Sequence, residues 1–87
     1  MEKKIALTFE DFIKLINDHC EIELELEYKG TVYGITQFNG YEFYEPYKKE
    51  SYQCYMTSEE FARKVNIKGE LLKDIWDDVD NVRPITF

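Results

Sequence analysis

The sequence predicts an α+β fold: an antiparallel meander of three to four strands, with an N-terminal helix and two short C-terminal helices packed on one face. Three observations predict it. Residues 21–28, EIELELEY, alternate acid with apolar residue at period two, the mark of a half-buried strand. Lys29-Gly30 and Asn39-Gly40 are turn dipeptides placed between runs with strand character. LTFEDFIKLIND and MTSEEFARKV each open on a helix-capping signal and continue with helical apolar spacing.

Each element follows in order. Residues 3–7 suit a short strand. Thr8 and Asp11 form a capping pair with Asp in place of the usual Glu, and Leu7 and Phe12 occupy hydrophobic-staple positions. Phe9, Phe12, Ile13 and Ile16 define a buried helical stripe, so a helix is expected over 8–18. On the next strand Ile22, Leu24, Leu26 and Tyr28 face the core, while Glu21, Glu23, Glu25 and Glu27 face out. A two-residue turn at Lys29-Gly30 sets Leu26 opposite Tyr33, Leu24 opposite Ile35, Glu25 opposite Gly34 and Glu23 opposite Thr36. Asn39-Gly40 carries the signature of a type I′ hairpin leading into a third strand, YEFYEP, over 41–46. PYKKES reads as a loop and 51–56 as a fourth strand, with both registers open because aromatics occupy both alternating sets.

The second helix has Thr57 as cap, Glu60 to complete the box and Met56 to staple onto Phe61. After Gly69, the residues Leu71, Leu72, Ile75, Trp76 and Val79 make one apolar helical face. NVRPITF reads as extended, with Pro84 suited to an edge. Leu24, Leu26, Ile35, Phe12, Ile16, Phe61, Leu72 and Trp76 are expected in one core.

Composition narrows the function mainly by exclusion. Eighty-seven residues suffice for a single domain spanning 1–87, and 44% hydrophobic content supports a core. The net charge of −7 opposes binding to nucleic acid or to an anionic membrane and favours a basic protein partner. No apolar run approaches the roughly 18 residues of a membrane span, and no signal-peptide core follows the first lysines, which points to the cytoplasm. Cys20 and Cys54 are far apart and form no CxxC pair, so both are expected reduced, each as a small buried hydrophobe.

Four groups of residues are candidates for a site. His19 with Cys20 or Cys54 would need the fold to bring thiol and imidazole together; the plain alternative is a helix-end histidine and structural cysteines. Asp74, Asp77 and Asp78 share a helical face, but no EF-hand pattern surrounds them. Acids at a helix C-terminus oppose the dipole, so Asp77 and Asp78 suit a partner better than they suit the helix. Seven rings fall between Phe38 and Tyr55, enough to populate both sides of a hairpin; Phe38, Tyr41, Phe43 and Tyr47 are expected at an interface. Glu21, Glu23, Glu25 and Glu27 recur about every 6.6–6.8 Å, either as an ordinary wet face or as a row imitating a phosphate backbone. No phosphate loop, GxSxG, HExxH or zinc spacing is present, so neither catalysis nor a cofactor or metal is expected. The residue-level expectation is a non-catalytic interaction module that binds a basic protein, or pairs with itself as a homodimer, through the acidic sheet face and aromatic hairpin. The alternatives are a nucleic-acid-mimicking inhibitor and a small Cys/His enzyme.

The order TVYGI, GYEFYE, SYQCYMTSEEF and the ending IKGELLKDIWDDV resembles small bacterial and prophage-type proteins of unknown function, over residues 31–79. The segment GELLKDIWD is the most specific part. The resemblance implies an intracellular protein and, by analogy, fits the small acidic inhibitors made by mobile elements. It supplies no catalytic or binding residues.

Overall fold

The computed structural model describes residues 7–18, 23–38 and 40–84. The expected strand over 3–7 falls largely outside them, as do His19, Cys20, Glu21, Ile22 and Asn39. The element order is α1 (Phe9–Asp18), β1 (Glu23–Tyr28), β2 (Thr31–Gln37), β3 (Tyr41–Glu45), β4 (Lys48–Tyr55), α2 (Ser58–Lys64), β5 (Asn66–Ile67), β6 (Glu70–Leu71), α3 (Leu72–Ile75), a 3-10 turn (Trp76–Asp78) and β7 (Val79–Pro84). The main sheet is antiparallel and has five strands, in the order β4-β3-β2-β1-β7. The meander is thus completed by a fifth strand from the C-terminal segment, which lies at the edge where Pro84 is tolerated.

Helix α1 starts as its cap predicts. The Asp11 N–H donates to Thr8 Oγ1 at 3.0 Å, and the Thr8 N–H donates back to Asp11 Oδ2 at 3.4 Å. In α2 the Glu60 N–H donates to Thr57 Oγ1, while the Glu60 carboxylate accepts from the Met56 N–H. The expected Met56 staple adds little, because Met56 is 71% exposed. The third helix is shorter than its apolar face suggested. It tightens at Trp76 and yields to strand at Val79, whose side chain reaches the core from β7. Leu72, Ile75, Trp76 and Val79 are still buried, but through three kinds of backbone.

The β1–β2 hairpin has the predicted register at all four pairs. Lys29 and Gly30 take φ of 51° and 80°, the left-handed pair that a type I′ turn requires. The next hairpin differs. Gln37 pairs with Tyr41, which leaves three residues in the loop, and Gly40 is not in the left-handed region. A two-residue Asn39-Gly40 turn would instead pair Phe38 with Tyr41. Because side chains alternate, that single-residue difference decides which face every β3 side chain occupies. The observed register turns Tyr41 and Phe43 inward, 9% and 1% exposed, and turns Glu42 and Tyr44 outward.

PYKKES is less of a loop than expected. Pro46 and Tyr47 form the turn, with Tyr47 at φ 70°, and β4 begins at Lys48. Two steps along β3, from Phe43 to Glu45, match five along β4, from Gln53 to Lys48. Ser51 stitches this bulge: its Oγ accepts from the Glu45 N–H at 2.8 Å and donates to the Lys48 carbonyl at 2.7 Å. Gln53 then anchors the small β5–β6 hairpin, donating to the Asn66 carbonyl and accepting from the Asn66 N–H.

All eight expected core residues are in one cluster between the helices and the inner sheet face. Trp76 closes it, with its ring tilted against Phe12 at a centroid distance of 4.8 Å and its indole N–H donating to the Leu7 carbonyl at 2.7 Å.

Candidate functional site

The helices pack into the inner cluster, and among the described residues no helix covers the other face of the sheet. That outer face is ordered in cross-strand rows. One row runs Arg83, Glu25, Gly34 and Tyr44 across β7, β1, β2 and β3. The next runs Glu23, Thr36, Glu42 and Cys54 across β1 to β4.

Gly34 explains the shape of this face. A Cβ there would come within 2.6 Å of Tyr44 Cε1, so the missing side chain lets the Tyr44 ring settle across β2. The Tyr52 ring is nearly parallel to it, 16° apart with centroids 6.4 Å apart, and is 51% exposed. Glu42 is held from both sides: Thr36 donates to one carboxylate oxygen and Tyr52 to the other, each at 2.5 Å. The hydrogen bond to Glu42 holds the Tyr52 phenol well above its usual range, with burial and the Glu42 charge adding to it. Burial pushes the Tyr44 phenol up, the Glu23 and Glu42 charges push the same way, and the Thr36 hydroxyl opposes them. Both carboxylates therefore act on Tyr44.

The glutamate row along β1 divides in two. Glu25 and Glu27 turn toward β7, where Arg83 Nη2 is 2.6 Å from Glu25 and 3.9 Å from Glu27. This contact is made possible by a bulge, since Glu25 to Glu27 matches Arg83 to Asp80 with one residue more on β7. Asn81, at φ 54°, donates to Glu27 Oε1 at 2.8 Å, and Arg83 donates to the Asn81 carbonyl. The bulge also manages a like-charge pairing absent from the β1–β2 hairpin, because Asp80 is opposite Glu27. Glu23 makes no ion pair among the described residues and sits half-buried at the open end of the glutamate row.

The other expected site residues scatter. Phe38 and Tyr47 are exposed, 49% and 104%, at opposite ends of the β3 hairpins. Tyr41 and Phe43 belong to the core: Tyr41 donates to Asn17 Oδ1, and Phe43 stacks on Tyr33. They offer a partner no open surface, because the Gln37–Tyr41 register turns both inward. Asp77 and Asp78 are exposed on the 3-10 turn that joins α3 to β7. Cys54 is exposed and free, not a buried hydrophobe; it sits against Gly40, where an added Cβ would approach its sulfur to 3.0 Å. His19 and Cys20 lie outside the described residues. Tyr44 and Tyr52 entered sequence reasoning only as members of the seven-ring run, and Glu42 and Arg83 were not singled out. The signal available was Gly34, an interior strand glycine, which marks close approach of another group.

A concavity opens on the inner side of the sheet. This cleft of ≈ 370 Å³ lies between the β4 bulge and the β5–β6 hairpin, lined in part by Tyr33 and Phe43 and flanked by Lys48 and Lys68. The Ser51 hydroxyl and Gln53 amide in its wall are occupied by internal bonds. Among the described residues no three Asp, Glu, His or Cys side chains gather to hold a metal, and no helix is long and apolar enough to cross a membrane.

Fold and surface together define a class: a small α+β domain with one sheet face buried under helices and the other, acidic and aromatic, covered by no helix among the described residues. Comparison of the chain with models of known families, with curated proteins and with solved structures finds no match.

Proposed function

We propose that the protein is a non-catalytic interaction module of the cytoplasm whose open sheet face binds a basic protein partner. The observation that carries this is the outer face itself, where the Tyr44 and Tyr52 rings lie beside the carboxylates of Glu23 and Glu42. Tyrosine combines large contact area with a polar tip, as interfaces favour. The charge of −7 adds long-range attraction for a cationic surface and repels phosphate backbones and anionic lipid. Phosphate mimicry asks for an unbroken row of acids, and Arg83 interrupts that row at Glu25 and Glu27.

The test is a titration of the labelled full chain with a cationic peptide, followed by two-dimensional NMR at low and high salt. Shifts are expected at Glu23, Thr36, Glu42, Tyr44 and Tyr52, shrinking as salt screens charges beyond about 8–10 Å. A Glu23→Gln/Glu42→Gln variant is expected to associate more slowly with the peptide. Shifts confined to the inner cleft, or none at low salt, would sink the proposal.

A further inference from the structure

A basic partner can present lysine or arginine, and the two are physically different groups. We propose that the outer face is built to take an arginine guanidinium, stacked on Tyr44 and flanked by the carboxylates of Glu23 and Glu42. This rests on the basic-partner function proposed above and names the chemical group recognised.

Three independent features converge. The first is the platform. Gly34 removes the side chain that would otherwise stand under Tyr44, so the ring lies across β2 instead of projecting away from the sheet. Tyr52 lies nearly parallel beside it. A planar cation gains from stacking on such a surface, whereas an ammonium gains only the point-charge attraction to the ring.

The second is the placement of charge. Glu23 and Glu42 belong to one cross-strand row, with Thr36 between them, and Tyr44 is in the neighbouring row. The Tyr44 ring lies over Gly34, the β2 residue two before Thr36, so it is bordered by the row that carries both carboxylates. Glu42 is fixed by donors from Thr36 and Tyr52. A guanidinium carries five donors in a rigid fork and can address carboxylates on two sides while its plane rests on a ring. Lysine has no plane to stack and is more strongly hydrated.

The third is a precedent within the chain. The same face already holds one arginine, because Arg83 sits over the β1 acids, 2.6 Å from Glu25, in the cross-strand row that ends at Tyr44. Glu25 and Glu27 have this guanidinium in cis. Glu23 lies farther along β1, in the cross-strand row next to that of Tyr44, and makes no ion pair among the described residues.

The experiment uses the full chain and three peptides of matched length carrying four arginines, four lysines or four citrullines. Affinity is measured by NMR titration at low salt. The arginine peptide is expected to bind about two- to fivefold more tightly than the lysine peptide, the range a cation–π stack supplies at an exposed site. The citrulline peptide is expected to bind far more weakly, and the Tyr44 ring protons should shift only with arginine. Tyr44→Phe should retain the arginine preference, and Tyr44→Leu should erase it while leaving lysine binding in place. Should Tyr44→Leu fail to fold, the arginine-to-lysine ratio of the parent and of Tyr44→Phe decides the matter. Equal affinity for arginine and lysine peptides overturns the arginine site and leaves the basic-partner function standing. Citrulline bound as tightly as arginine also overturns it. No binding of any peptide overturns both.

Discussion

The two faces of the sheet use the same residue type for opposite ends. On the inner face Tyr41 and Tyr33 are buried with their rings against phenylalanines, Phe61 for Tyr41 and Phe43 for Tyr33. On the outer face Tyr44 and Tyr52 lie against each other and against carboxylates, in contact with water. Inner tyrosines hold the fold by removing area from solvent, at roughly 25 cal/mol per Å² of apolar surface. Outer tyrosines hold each other in place and leave area available. What separates the two roles is strand parity, not residue chemistry: Tyr41 and Tyr44 belong to one strand and point to opposite faces.

The largest break in this contrast is expected from the inner side. Trp76→Ala removes the ring that packs on Phe9 and Phe12 and the indole donor to Leu7. The expected loss is about 3–5 kcal/mol, a large share of a small domain's stability, read as a lower urea midpoint at unchanged m. A Trp76→Ala chain that melts with the parent would mean the inner cluster is not the seat of stability.

A smaller effect is expected where outer face meets edge. Arg83→Met removes the cation between Glu25 and Glu27 and leaves Asp80 opposite Glu27 without that compensation. The pair is partly exposed, so the expected cost is about 1 kcal/mol. The distinctive readout is location: amide exchange should accelerate in β7 and stay as in the parent in β3. Uniform acceleration across the sheet would show that β7 is not held by its acids.

The outer tyrosines should also report on pH. The Tyr52 phenol is raised above its ordinary value of about 10 by its hydrogen bond to Glu42. Below that value both folded and unfolded chains keep the proton, and the contribution to stability is fully present. As pH rises toward the folded value, the unfolded chain gives up its proton first, and stability falls. Tyr33, Tyr44 and Tyr55 shift in the same direction, mainly through burial. Tyr52→Phe should therefore melt with a shallower decline between about pH 9 and 11 than the parent, and the same decline in both would remove Tyr52 from the account.

The smallest effect is expected from the loop between β2 and β3. Deleting Phe38 leaves Asn39-Gly40 as a two-residue link between Gln37 and Tyr41, which are already paired. The favoured type I′ turn then keeps the native register, so stability should change by less than about 1 kcal/mol. Protection of the Phe43 amide and ring in the deletion variant would confirm the register. An outward Phe43, seen as a collapsed melt and exposed apolar surface, would show that the loop dictates the register and not the core.

Much of the fold was legible in the chain because its determinants are local. The EIELELEY alternation fixed which residues of β1 face the core, Lys29-Gly30 fixed the register of β2 against it, and Thr8 and Thr57 marked where helices begin. These signals act within a few residues, so no tertiary information is needed to interpret them. The glutamate row was legible as an outward face and not as a shared one, because its cation, Arg83, lies far along the chain. Tertiary structure alone decided that β7 pairs with β1 and that a bulge brings Arg83 over two of the acids. It also decided that Tyr44 reaches the open face while Tyr41 and Phe43, its near neighbours in sequence, turn inward. The physical reason is the same each time. A strand's partner and its parity are settled by burying the largest apolar set under the helices, a sum over residues distant in sequence.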